Sequence, residues 1–144
     1  MGRFYFRLEP VLKCRVVKEE QRIQALAQAQ RDKEQREETL EVAAREYGES
    51  LQENGKTLWE LEQWAVYRDV LRRRVKARVE ELKEATAKVD RCRAALLSAR
   101  QERLMVEKVK ERRHAVFLEE EASKERRHYD ELSQLAFQNR ARLK

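Results

Sequence analysis

The sequence predicts an all-α fold, an antiparallel two-helix coiled-coil hairpin with unequal arms, and three observations carry it. The only proline is Pro10, and after it glycine occurs only at Gly48 and Gly55. Pro and Gly are the two residues that strongly oppose helical backbone, so little else in the chain can stop a helix. Apolar residues recur every three to four positions in a background that is 42% charged, which is the pattern of long amphipathic helices. The one strong turn signal is Asn54-Gly55.

The elements follow in order. Helix 1 is expected over about residues 9–53, with Pro10 in the first turn, where its missing N–H leaves no hydrogen bond unmade. Its seam reads Leu12, Val16, Glu19, Ile23, Leu26, Gln30, Lys33, Glu37, Leu40, Ala44, Tyr47, Leu51, in heptad steps of four and three. The polar trio Gln30, Lys33 and Glu37 makes the middle the expected weak point. A turn at about 54–56 leads into helix 2 over about 57–143. Its seam reads Trp64, Leu71, Val75, Leu82, Ala85, Val89, Cys92, Leu96, Ala99, Val106, shifting toward Val109 and Val116. Folding at Asn54-Gly55 pairs residues whose numbers sum to about 110 and sets Pro10 opposite Arg100. The rest of helix 2 then overhangs and needs a partner, because helices are stabilised mainly by packing an apolar face. Phe4, Phe6 and Leu8, ahead of helix 1, are placed to fold onto helix 2 near Val106 and Val109. Residues 1–144 are read as one domain.

Charge is unevenly divided. Residues 1–53 hold ten basic and eleven acidic side chains, and residues 54–144 hold 23 and 16. The excess is densest at Arg68, Arg72, Arg73, Arg74, Lys76 and Arg78, which suits either an acidic or phosphate-bearing partner near the turn or a solvated face. The acids nearly match the bases elsewhere, so no continuous phosphate-binding stripe forms and nucleic acid is not an expected partner.

The chemistry-bearing motifs resolve into structure. Lys110-Glu111-Arg112-Arg113-His114 recurs as Lys124-Glu125-Arg126-Arg127-His128, and each copy contains Glu-x-x-His. On one helix the two copies stand about 21 Å apart, too far to share a metal, and two heptads explain the repeat. Cys14 falls on an outer position and Cys92 on the seam, so no disulfide is expected. Neither a phosphate loop nor a nucleophile elbow occurs, and a two-helix seam offers no pocket from which to exclude water. The reading is not an enzyme, with no catalytic residues, metal, cofactor or small-molecule substrate. No segment has the apolar length of a signal peptide or a membrane span. Near the turn, Tyr47, Trp59, Trp64 and Tyr67 cannot all face one seam, and exposed rings beside arginines have the composition of a protein-binding patch.

The two ends of the chain carry a family resemblance. Phe6-x-Leu8 followed by Val11-Leu12, Arg15 and Glu19-Glu20 resembles the N-terminus of the FliJ family of the flagellar type III export apparatus. Ala99, Glu107-Lys108, Arg112-Arg113, Glu119-Glu120, Glu125 and Tyr129-Asp130-Glu131-Leu132 resemble its C-terminal half, and Trp64-x-x-Tyr67 also fits. The resemblance covers the whole chain in order, while Arg72-Arg73-Arg74 is more basic than the family pattern. It implies a non-enzymatic coiled-coil stalk between the hexameric export ATPase and the membrane export gate, which also assists export chaperones. It places the protein in the cytoplasm, peripherally at the membrane, with membrane contact only indirect. On that reading Phe6, Leu12, Arg112, Arg113, Asp130 and Glu131 face the ATPase, and Tyr47, Trp59, Tyr67, Arg73 and Arg74 face the gate. The alternatives are a nucleic-acid-binding coiled coil and a purely structural scaffold.

Overall fold

A computed structural model describes residues 2–143. Met1 and Lys144, the outermost positions of the expected domain, lie outside the described residues. Two helices, α1 (Glu9–Ser50) and α2 (Leu58–Arg142), pack antiparallel as a hairpin with unequal arms of 42 and 85 residues. Contacts divide the chain into two compact units. One joins the N-terminal segment up to Val17 with α2 from Gln101 onward; the other runs from Lys18 to Arg100 and contains the connection between the helices.

In the Lys18–Arg100 unit, α1 stops at Ser50 without a positive-φ glycine. The Ser50 hydroxyl donates to the Tyr47 carbonyl (2.6 Å), and Arg68 donates to the carbonyls of Ser50 (2.8 Å) and Glu53. The contacts at Tyr47 and Ser50 satisfy oxygens that a helix end otherwise leaves without partners, and the one at Glu53 ties the connection to α2. α2 opens with a capping box. The Glu60 amide donates to Thr57 Oγ1 (3.2 Å), while Glu60 Oε2 accepts from the amides of Lys56 (2.7 Å) and Thr57 (3.3 Å). Gly55 fits against this turn for lack of a side chain, since a Cβ there would lie 2.6 Å from Glu60 Cβ.

The connection therefore occupies residues 51–57 and is not a tight turn centred on Asn54-Gly55, and this moves the register. Ser50 meets Arg68, Glu46 meets Arg74 (3.1 Å), Arg36 meets Glu81 (2.7 Å) and Glu19 meets Arg100 (3.2 Å). Paired numbers in this unit sum to between 117 and 120, not about 110. About ten residues of α2 pass before α1 begins to face it, because they lie beside the connection instead.

The seam of α2 follows the expected positions: Leu71 (1% exposed) and Val89 (2%) are buried, with Trp64, Val75, Leu82, Ala85, Cys92 and Leu96 half-buried. α1 departs from expectation on every second contact. Leu26, Lys33, Leu40 and Tyr47 are half-buried as expected, but Ile23, Gln30, Glu37, Ala44 and Leu51 are exposed. Ala29, Ala43 and Ser50 are buried one position earlier. Small side chains let the backbones approach closely, and the bulkier Ile23 and Leu51 are left at the rim. The middle is polar as expected, although two of the three residues named for it lie outside the seam. It holds an open cleft of about 560 Å³ lined by Ala29, Asp32, Arg36, Glu81, Glu84 and Lys88, among others. The Arg36–Glu81 pair and a looser Asp32–Lys88 pair (3.8 Å) bridge the helices there.

In the other unit, Leu12 is buried (8% exposed) and the first turns of α1 lie antiparallel to α2 from Gln101 onward. Arg15 pairs with Glu102, and Glu9 pairs with Lys110 at 2.7 Å. Glu9, which the Pro10–Arg100 register sets opposite Gln101, thus lies nine residues further along α2 than expected. The N-terminal segment folds back on α2, but beyond Val106 and Val109. Phe6 is 5% exposed beneath the Lys110 ammonium (5.9 Å to the ring centroid). Phe4 lies edge-on to His114 (4.9 Å) and beside Phe117 (5.5 Å), and the Gly2 amide donates to Glu121 (3.1 Å). From Ala122 onward almost every residue of α2 is exposed.

Candidate functional site

Two surfaces gather the side chains that the sequence singles out, one in each unit. At the loop end of the Lys18–Arg100 unit, the capping box and the Arg68 clamp fix the first turns of α2 where α1 does not cover them. Trp59 is 68% exposed and Tyr67 48%, Tyr47 is half-buried, and Trp64 meets Tyr67 edge-on at 5.7 Å. Val66 and Val70 are also exposed. With Trp59 they form an outward stripe at spacings of seven and four, about a third of a turn round α2 from Leu71. That stripe is legible in the sequence as a second apolar period, beside the one that marks the seam.

Glu46, Glu49, Glu53, Trp64 and Tyr67 line a shallow groove of about 230 Å³. Carboxylates beside ring faces suit a cationic side chain from a partner. The arginines nearby are largely engaged: Arg72 and Arg73 with Asp69 (2.7 and 2.8 Å), Arg74 with Glu46, Arg78 with Glu81 (2.9 Å). Hydrogen bonds from Arg78 and then Arg36 hold the Glu81 carboxyl below its ordinary pKa. The local positive field is therefore smaller than the residue count suggests.

In the other unit, the sequence-predicted residues divide by burial. Phe6 and Leu12 are core residues of the unit and hold its surface in place. Arg112, Arg113, Asp130 and Glu131 are exposed and make no ion pair with the described residues. The structure does not bring all four together, since Asp130 and Glu131 stand beyond the end of the N-terminal segment. Glu121 anchors that segment. Its carboxyl is held below its ordinary pKa by the Lys124 ammonium and then by the Gly2 amide, and the Lys124 pKa is raised in return. The last turns of α2 expose Leu118, Tyr129, Leu132, Leu135, Phe137 and Leu143.

Both surfaces expose aromatic and aliphatic side chains, Trp59 and Tyr67 on one, Tyr129 and Phe137 on the other. Cys14 is exposed and Cys92 half-buried, and both are free thiols. No group of His, Cys, Asp and Glu among the described residues could hold a metal ion, and no described helix is long and apolar enough to cross a membrane.

No curated protein and no solved structure significantly matches the chain. Its residues 4–142, however, match the profile of the family described as Flagellar FliJ protein. The match spans both helices, the connection and the folded-back N-terminal segment. The chain belongs to the FliJ family, the non-enzymatic coiled-coil components of the flagellar export apparatus.

Proposed function

We propose that this protein couples the hexameric export ATPase to the membrane export gate and assists export chaperones, acting in the cytoplasm at the inner face of the membrane. The observation that carries the ATPase side is the last part of α2. It is helical to Arg142 yet has no intrachain cover beyond Glu121. A helix exposing Tyr129, Leu132 and Leu135 gains by docking that face, and the export ATPase is the partner that the family resemblance implies for this end. Arg112, Arg113, Asp130 and Glu131 would supply polar contacts around it, with Phe6 and Leu12 fixing the supporting unit. The gate would be met at the loop end through Tyr47, Trp59, Tyr67, Arg73 and Arg74. Both helices pass from one unit into the other without a break, which supports treating the chain as a single coiled-coil domain.

The test is a titration of the protein into the purified export ATPase, reading complex formation and hydrolysis. The expected result is a complex with altered hydrolysis, weakened about tenfold or more by Arg112→Glu with Arg113→Glu. Absence of both complex and rate change, with a helical protein by circular dichroism, would overturn the proposal.

A further inference from the structure

We propose that the exposed end of α2 is also a self-association surface, on which the same segment of a second copy packs antiparallel. From Leu118 to Leu143 an apolar stripe runs Leu118, Ala122, Glu125, Tyr129, Leu132, Ala136, Asn139, Leu143 in steps of four and three, a coiled-coil seam. Every one of these residues is exposed, Leu118 at 53%, Tyr129 at 67%, Leu132 at 48% and Leu143 at 88%. The stripe is offset from the intrachain seam, which ends through Phe117 and Glu121, so the chain's own folding does not use it.

Charge selects the occupant. Flanking the stripe, the N-terminal end carries Glu119 and Glu121 and the C-terminal end carries Arg140 and Arg142. When two copies are laid antiparallel about the stripe's midpoint, Leu118 faces Leu143, Tyr129 faces Leu132, and Ala122 faces Asn139. The flanking residues then pair Glu119 with Arg140 and Glu121 with Arg142, twice over by symmetry. The remaining flanking positions (Arg126 with Ser133, His128 with Leu135) bring no like charges together. In parallel alignment Glu119 would face His114 and Arg140 would face Leu135; Glu121 would keep an opposite charge in Arg126, but Glu125 on the stripe would meet the Glu125 of the second copy. An asymmetric helix of this kind is its own complement only in the antiparallel sense. Self-pairing needs only the segment's own residues, so it can be tested without the ATPase, with which it would compete for one face.

The test uses the full chain in sedimentation equilibrium at low salt, with circular dichroism to confirm helix content. Glu119 and Arg140 are the residues to exchange, because Glu121 also anchors Gly2 and Lys124. The wild type is expected to dimerise at roughly tens of micromolar. Glu119→Arg alone and Arg140→Glu alone should each weaken dimerisation about tenfold, by setting like charges together at both ends. An equimolar mixture of the two variants should recover the wild-type constant, because each heterodimer restores opposite charges at both ends. A wild type that stays monomeric at about 100 µM, or a mixture no tighter than its separate components, would overturn the proposal.

Discussion

Leu71 is the largest fully buried side chain, 1% exposed on the seam between α2 and the last turns of α1. Replacing it with alanine removes three carbons, worth about 2.4 kcal/mol at roughly 0.8 kcal/mol per buried methylene. A cavity contribution adds to this, and Leu→Ala changes in cores span about 2–5 kcal/mol. Two helices can close on a gap more readily than a layered core can, so the expected loss is near the lower end, about 2.5–3 kcal/mol. For a chain of this size that corresponds to a Tm about 8 °C lower. The internal comparison is Val70→Ala, one residue away but 48% exposed, where the loss should stay within about 0.5 kcal/mol. Urea unfolding followed by Trp59 and Trp64 fluorescence reads this end of the hairpin directly. A Leu71→Ala loss below about 1 kcal/mol, or one matched by Val70→Ala, would refute the assignment of the seam.

Thr57→Ala removes the acceptor of the Glu60 amide and should cost about 1 kcal/mol by urea unfolding, with Thr57→Ser restoring most of it. Gly55→Ala would set its Cβ 2.8 Å from the Glu60 carbonyl carbon and the Leu61 nitrogen; a loss of about 1–3 kcal/mol is expected in the same assay. The anchoring of the N-terminal segment by Glu121 should depend on acid. A carboxyl held below its ordinary pKa contributes fully above the unfolded value of about 4.3 and loses that contribution as pH falls through the lower folded value. The NMR signals of the Phe4 ring against His114 should therefore disperse less below about pH 4, and Glu121→Gln should remove this dependence. Equilibrium unfolding should give fluorescence and main far-ultraviolet transitions that coincide, the behaviour that the proposed single domain requires.

Helix existence and order were legible because a chain without interior proline, and with glycine only near one point, has few other options. The α2 seam was legible for the same reason: Leu71, Val89 and Ala99 are apolar at heptad spacing and are buried. The α1 seam was half legible. Its alternate contacts are Ala29, Ala43 and Ser50, and small residues give a weak apolar signal beside Ile23 and Leu51, although close helix approach favours them. Register was not legible from Asn54-Gly55, because the offset is set by the Arg68 clamp and the Thr57–Glu60 box, contacts made only once the connection has folded. Trp59 and Tyr67 were expected to be exposed near the turn and are. Phe6 and Leu12, by contrast, are buried in their own unit, since an apolar contact residue and an apolar core residue look alike in one sequence.

The ladder of cross-helix pairs also implies an order of assembly. Ser50 and Arg68 are separated by 18 residues, Arg36 and Glu81 by 45, Glu19 and Arg100 by 81, and Gly2 and Glu121 by 119. Closing the longest of these loops directly costs about 1.7 kcal/mol more in chain entropy than closing the shortest. Zippering from the Arg68 clamp avoids that cost, because each rung formed shortens the loop left for the next. The segment ahead of α1 is thus the last to dock. Amide exchange during refolding should protect the turns flanking the connection first and Phe4 to Leu8 last.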